Sequence, residues 1–416
     1  MRILIVTPYL PHEHVGHGGG SAVRGMVAEL ARRHEVKLVS LVRPADAHRI
    51  GEVTALGATV EAVPFLDRSA TGLGRVRLVA GRSLAAVRAV TARYPFYVAK
   101  YASGALDRAA CRVAAAWRPD VIQVEYLQLA LTLRALRRWR DRTGADGPRL
   151  VLDSHELGSL PRRRRAAGAA WPRRAWLAAD AAAWDRLARA ASGWADTTLC
   201  VTEQDRQLYA RAGGRNLVTV PLGIDVRGLE AAPTDGRPRR VLFLGSFQHP
   251  PNRAAARLLC RTIWPAAAPR LPGWELVLAG PGSDAFLDDM GDAPAGVSAT
   301  GFVADLDGLF RSCSVFAAPL TEGGGIKIKI LEALARGIPV VTTPIGAEGI
   351  VDREADLVAW AGGADDFADV LVRTAGDLDG ATERARRARR FVEERFAWQA
   401  VATRLENIYR GDPSGP

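Results

Sequence analysis

The sequence predicts an α/β protein made of two Rossmann-like, doubly wound halves, and three observations carry that prediction. An apolar run, Arg2 to Val6, leads through a glycine-rich stretch into a helical pattern, and the same order recurs from Arg240. Short apolar runs suited to buried parallel strands alternate with Ala/Arg-rich helical stretches in both halves. Between the two series, Asp225 to Arg239 is rich in glycine, proline and charge, the composition of a linker. The expected boundaries are 1–224 for the first domain, 225–239 for the linker, 240–396 for the second domain, and 397–416 for a closing helix packed back on the first.

In chain order, RILIV is the first strand, followed by a loop that ends at Gly18, Gly19 and Gly20 and a helix over Ser21 to Arg33. Glu35 to Leu41 completes a βαβ unit, and Val121 to Val124 and Leu150 to Leu152 are further parallel strands. In the second half VLFLGS runs as a strand from Arg240 into Gly245, a helix starts near Asn252, and strands follow at Trp274 to Ala279, Phe316 to Pro319 and Pro339 to Thr342. Ligands of open parallel sheets sit beyond the carboxyl ends of the strands. The Gly18 to Gly20 loop and the Gly323 to Gly325 loop are therefore expected to face each other across a cleft.

Length and composition bound the classes. At 416 residues, 48% hydrophobic and 24% charged, the chain is expected to be globular with two cores. No apolar run reaches the roughly 20 residues that span a bilayer, and Met1 to Val6 enters a strand directly, so a cytoplasmic protein is expected, without a targeting segment. Cys111, Cys200, Cys260 and Cys313 lack metal-ligand spacing and read as reduced, mostly buried thiols. The excess of 56 Lys+Arg over 45 Asp+Glu is almost all arginine, and without the aromatic interleaving of stacking platforms it gives no nucleic-acid partner. Lysine occurs only at Lys37, Lys100, Lys327 and Lys329, so two of them in one glycine-rich segment stand out.

That segment, LTEGGGIKIKILEALARGIPVV over 320–341, runs from a glycine turn through an amphipathic helix to a buried strand. Gly323, Gly324 and Gly325 let backbone approach a phosphate at a helix N-terminus, and Gly337 with Pro339 ends the helix. With the helix running from Gly325, residues Gly325, Ile328 and Glu332 share a face, and about 10 Å separates the first from the last. A diphosphate at the helix start and a ribose on Glu332 fit that span, with Lys327 or Lys329, about 200° apart, as the cation.

These residues, ending in LEALARGIPVV, resemble the donor-site motif of retaining glycosyltransferases of the GT-B fold, in the large family numbered four. VLFLGSFQHPPNRAAARLL (241–259), LVLDSHE (150–156), VTEQD (201–205), VTVPLGIDV (218–226) and RFVEERFAWQAVATRLENIY (390–409) resemble that family in the same order. The resemblance implies transfer of a sugar from a nucleoside diphosphate sugar to an acceptor hydroxyl, with retention and without a metal or other cofactor. It implies Glu332 as the ribose ligand, the Gly323 to Gly325 backbone near diphosphate and sugar, and His155 against the donor sugar. The family's second glutamate stands eight residues before the first; here that position is Gly324, and Glu322 is the nearest acid. The family's phosphate-binding Arg and Lys are replaced by the region of Ser246, Asn252 and Arg253, with Arg253 the expected phosphate cation. Two other readings share these features, a GT-B sugar-nucleotide epimerase and a non-catalytic sugar-nucleotide-binding protein.

His155 lies beyond an apolar strand with Asp153 placed to orient it, and Glu125 ends another strand at the same edge. The His12 to His17 loop is not expected to bind metal, because no separate acidic cluster joins it; it is expected on the acceptor side, with Gly19 and Gly20 near the diphosphate. Gly16 and Gly18 do not make a dinucleotide fingerprint, since Ser21 replaces the third glycine and no acid ends the second strand. Arg75 to Lys100, and Arg162 to Arg165 with Arg173 and Arg174, are basic amphipathic segments suited to an anionic membrane surface or to solvent.

Overall fold

The computed structural model describes residues 1–13, 18–65, 83, 94–144, 147–155, 157–229, 236, 238–322, 325–352 and 355–412. The chain divides into two compact units, Met1–Gly223 with Val401–Pro416, and Ile224–Ala400. The residues expected to begin the linker fall inside the second unit. Ile224 N–H donates to the Phe396 carbonyl at 2.7 Å, and Trp398 N–H donates to the Ile224 carbonyl at 3.1 Å.

The first unit holds a seven-stranded sheet of β1 (Arg2–Thr7), β2 (Glu35–Val42), β3 (Thr59–Pro64), β4 (Val121–Glu125), β5 (Arg149–Asp153), β6 (Thr197–Cys200) and β7 (Leu217–Thr219). Its order is β3-β2-β1-β4-β5-β6-β7, and each neighbouring pair is parallel. The order reverses between β1 and β4, so their carboxyl ends flank the switch point where such sheets bind ligands. Helix α1 (Gly18–Ala31) starts earlier than the sequence implies. Gly18, Gly19 and Gly20 form its first turn instead of a loop, because a glycine run can join a helix once the following apolar stripe packs, as buried Val23, Met26, Val27 and Leu30 do.

The second unit contains β8 (Arg240–Leu244), β9 (Glu275–Ala279), β10 (Val297–Ala299), β11 (Val315–Ala318), β12 (Val340–Thr342) and β13 (Ala359–Trp360). They pair in parallel in the order β10-β9-β8-β11-β12-β13. Period-2 alternation divides these strands between two cores. Val241, Leu276, Leu278 and Val315 join one cluster, while Leu242, Val277, Phe316 and Val340 join another. A sheet buried on both faces is what a doubly wound unit requires.

The helix expected after the glycine turn is present but shorter. Among the helices that position the site, α2 (Ser159–Ala167), α3 (Trp171–Trp194), α4 (Pro250–Leu258), α5 (Ile328–Ala335) and α6 (Trp398–Arg410) matter below. Gly337, at φ 65, closes α5: its N–H donates to Leu334 O at 2.9 Å and Ile338 N–H to Ala333 O at 3.0 Å, a Schellman pair that sets the chain into β12.

Candidate functional site

At the carboxyl edge of the second sheet, two glycines let strand ends meet. Gly245 follows β8 and Gly280 follows β9; Gly245 N–H donates to Ala279 O at 2.9 Å. Gly280 has φ +118, and a Cβ there would lie 2.2 Å from the Gly245 carbonyl oxygen. A Cβ on Gly245 would in turn lie 2.7 Å from Asn252 Nδ2 and 2.8 Å from Lys329 Nζ. The missing side chains make room for a polar cluster. Lys329, in the first turn of α5, donates to Asn252 Oδ1 at 2.6 Å, and Asn252, in the first turn of α4, donates through Nδ2 to the Ser246 carbonyl at 2.9 Å.

Lys329 is the electrostatic centre of this cradle. Its ammonium lies 4.7 Å from the Phe243 ring centroid, and burial, with Lys327 adding repulsion, pushes its pKa down to about 7. Its described side-chain partner is a neutral amide. A largely desolvated amine so placed gains most from an incoming anion, which supplies a counter-charge.

Around the glycine turn the helix starts later than the sequence suggests. Helix α5 begins at Ile328, not at Gly325, so Gly325, Ile328 and Glu332 do not share one helix face; Gly325 has φ 69 and Lys327 is extended. Lys327 donates to Gly325 O at 2.6 Å and pairs with Glu348 at 3.2 Å, buried. Arg253 lies over Phe286 at 5.4 Å, with no carboxylate partner among the described residues. Glu322 is exposed on the loop beyond β11 and makes no hydrogen bond to a described residue. Gly323 and Gly324 lie outside the described residues.

Glu332 sits one turn beyond Lys329 on α5. Arg336, at i+4, grips its carboxylate and is itself held by Asp307 at 2.7 Å and by the Phe310 ring at 4.9 Å. Burial pushes the Glu332 carboxyl up; Arg336 pulls it down, and Asp307 and Asp225 add to the upward shift. Arg336 was not singled out from sequence, although its i+4 spacing from Glu332 was the available signal.

In the first unit, His155 lies just beyond β5, with φ 55. Its Nε2 is 2.7 Å from Glu125 Oε2 and 3.9 Å from Asp153 Oδ1, and its backbone N–H donates to Asp153 at 3.3 Å. Burial and the Glu125 charge raise Asp153 to about 6, against the lowering influence of His155. The imidazole stacks on Tyr126 with centroids 3.7 Å apart and planes 7° apart. Tyr126, Tyr9, Arg43, Arg162 and Trp184 help line a cavity of about 500 Å³ within this unit.

Glu125, Asp153 and His155 are the one cluster of metal-ligand types found among the described residues. The 2.7 Å contact is a direct hydrogen bond; two ligands at about 2.0 Å from a tetrahedral ion would stand about 3.3 Å apart. His12 is buried 3.7 Å from Asp46, while 14–17 lie outside the described residues.

Two family profiles match: residues 17–223 to the glycosyl transferase 4-like domain and residues 238–377 to glycosyl transferases group 1. The GDP-mannose-dependent alpha-(1-6)-phosphatidylinositol dimannoside mannosyltransferase of Mycobacterium tuberculosis is 30% identical over 303 residues, covering 69% of this chain and 73% of that protein. The chain belongs to the group 1 glycosyltransferases. A phosphatidyl-myo-inositol mannosyltransferase of Mycolicibacterium smegmatis is 29% identical over 222 residues, but the match spans only 56% of that relative's length and 51% of this chain.

The glycosyltransferase has the GT-B fold. HepE of Anabaena, in a crystal structure with UDP, matches with a TM-score of 0.67 over 99% of this chain and 100% of that one, at 16% identity. Sucrose-phosphate synthase of Thermosynechococcus elongatus matches at 0.65 over 99% of each chain, also at 16% identity. No described helix of the glycosyltransferase is long and apolar enough to cross a membrane.

Proposed function

We propose that this protein transfers a glycosyl group from a nucleoside diphosphate sugar to an acceptor hydroxyl, with retention of anomeric configuration. The observation that carries this reading is the half-buried Lys329 amine, bonded to Asn252 beside Gly245 and one helical turn before Glu332. In this reading Lys329, the first turn of α5 and nearby backbone amides receive the diphosphate, and Glu332, held by Arg336, accepts hydrogen bonds from the ribose hydroxyls. HepE in complex with UDP and glucose, and relatives named for GDP-mannose, support a sugar nucleotide as donor.

The chemistry follows from the leaving group. As the glycosidic C–O bond to diphosphate breaks, negative charge grows on the phosphate, where the fixed cation and amides stabilise it. No metal is needed in this role. The acceptor hydroxyl attacks from the face the diphosphate leaves, and a phosphate oxygen takes its proton. His155 is proposed to contact the donor sugar, and Glu322, exposed in the loop beyond β11, is its proposed second acidic contact. Gly19 and Gly20, in the first turn of α1, are proposed near the diphosphate. The aromatic-lined cavity around Tyr9, Tyr126 and Trp184 is proposed to take the acceptor, packing ring faces against its C–H surface. The test is a transfer assay with UDP-, GDP-, dTDP- and ADP-sugars, in which one nucleotide supports acceptor-dependent product.

Peripheral contact with an anionic membrane is proposed through the start of α3. Arg162 and Arg163 are neutralised by Asp180 and Asp185, but Arg165, Arg173 and Arg174 are exposed without carboxylate partners among the described residues. Trp171 and Trp176 stand beside them, 80% and 61% exposed, the pairing of indole and guanidinium that suits a lipid headgroup region. Arg75 to Lys100 lies mostly outside the described residues. Vesicles rich in phosphatidylglycerol are expected to sediment the protein, and the Trp171→Ala, Trp176→Ala double variant to reduce the bound fraction at least about tenfold. Equal sedimentation of both proteins would remove α3 from the membrane contact.

A further inference from the structure

We infer that Glu125 is a positioning residue for His155, held in one hydrogen-bonding direction by a buried relay that starts on the last helix at Tyr409. The inference rests on the reading above only in taking His155 to serve the donor sugar.

The relay lies entirely within the first unit. Tyr409 Oη, on α6, donates to Gln123 Oε1 at 2.5 Å, Gln123 Nε2 donates to Glu125 Oε1 at 2.6 Å, and Glu125 Oε2 meets His155 Nε2 at 2.7 Å. Gln123 and Glu125 are fully buried on β4, where Ile122 and Val124 show what an ordinary core strand would place. Packing alone gives no reason for an amide and a carboxylate there, and each must be satisfied from within.

The direction of the chain follows from donor identity. A carboxylate only accepts, so Gln123 turns its NH₂ to Glu125 and its carbonyl to Tyr409, whose Oη donates. That fixes the amide. With Oε1 so occupied, a buried carboxylate seeks a second donor at Oε2. Among the described residues, the group that meets Oε2 is His155 Nε2, which must carry its proton. The imidazole is thus held in one tautomer and one orientation, with Tyr126 stacked on one face and Asp153 3.9 Å from Nε2. Charged or titratable groups facing this cluster are Glu125 from β4, Asp153 from β5, Tyr9 beyond β1 with Tyr126, and Tyr409 and Glu406 from α6.

Glu125→Gln tests the direction without removing a hydrogen bond. Its amide oxygen would accept from Gln123, and its NH₂ would donate to His155 Nε2, forcing the proton to Nδ1. In full-length protein labelled with ¹⁵N-histidine, with the resonance identified by its loss in His155→Asn, the wild type is expected to show Nε2–H and Glu125→Gln to show Nδ1–H. Tyr409→Phe alone leaves the carboxylate as an acceptor and is expected to keep Nε2–H, whereas Tyr409→Phe added to Glu125→Gln frees both amides to turn and is expected to give a mixture of tautomers. With a working donor, Glu125→Gln should lower kcat at least about tenfold with little change in donor KM, as a reversed tautomer does, and move the acid limb of the kcat/KM profile downward. Glu125→Asp should recover part of that loss.

Retention of Nε2–H in Glu125→Gln overturns the inference, as does an unmixed Nδ1–H when Tyr409→Phe is added to Glu125→Gln. The tautomer readout does not depend on turnover. A reversed tautomer in a protein that transfers no sugar upholds the relay and defeats the transferase reading; an unchanged tautomer in an active enzyme does the opposite.

Discussion

Lys329→Met is expected to lower kcat/KM for the sugar nucleotide by about a hundred- to a thousandfold, the usual loss when one fixed donor to a developing anion is removed. Methionine fits the space over Phe243 and makes a favourable sulfur–aromatic contact, so the cradle is expected to stay packed. The charge disappears and the shape remains. Donor binding should also carry a proton signature. The free amine sits at about 7, and an adjacent diphosphate restores it toward its ordinary value of about 10.4. Above pH 7 the complex must therefore take up a proton, and donor affinity weakens as pH rises toward the bound-state pKa.

The same shift fixes the sign for stability. In the unliganded protein the folded-state pKa of Lys329 lies below the unfolded value, so between about pH 7 and pH 10.4 the unfolded chain binds more protons. Stability from this group rises with pH across that window, and below it the full cost of protonating a largely desolvated amine is present. Lys329→Met removes that dependence. Calorimetry of nucleoside diphosphate binding at pH 8, in buffers of different ionisation enthalpy, measures the uptake directly. Zero uptake, with unchanged affinity in Lys329→Met, would take the lysine out of the donor site.

Glu332→Gln is expected to weaken donor affinity by about ten- to a hundredfold, the worth of charge-assisted hydrogen bonds to two hydroxyls. Its effect on folding is expected to be small, because Arg336 keeps Asp307 at 2.7 Å and its stack on Phe310. Thermal stabilisation by the nucleotide separates the two. The wild type should gain melting temperature with a nucleoside diphosphate and the variant should gain little, while their unliganded midpoints stay close. Equal ligand-induced shifts would contradict the ribose role.

The doubly wound architecture was legible because its central strands are long apolar runs with clear flanks, as at RILIV and VLFLGS. Strands of two to four residues, such as β13 at Ala359–Trp360 and β10 at Val297–Ala299, carry too little pattern to separate from loops. The turn before α5 misled for a related reason. Glycine spacing shows where backbone can approach a ligand, but the helix start depends on Lys327, whose ion pair with Glu348 holds it extended.

Residue type was readable where residue partnership was not. Lys329 and Glu332 stood out in the motif, but the two lysines could be told apart only once Glu348 and Asn252 were seen to claim one each. Likewise, Glu125 was visible at a strand end, whereas its link to Tyr409 joins residues 286 apart from Gln123 onward. A lone glutamine inside the apolar VIQV was the clue to that network.

The cradle around Lys329 is proposed to deliver a sugar from its diphosphate with the anomeric centre retained. The most direct test is to incubate the full chain with the sugar nucleotide that stabilises it and an acceptor alcohol, without added metal and with chelator present, and to assign the product anomer by NMR. The expected result is acceptor-dependent release of nucleoside diphosphate and a glycoside of the donor's own anomeric configuration. An inverted glycoside, or an epimeric sugar nucleotide formed without acceptor, would contradict it.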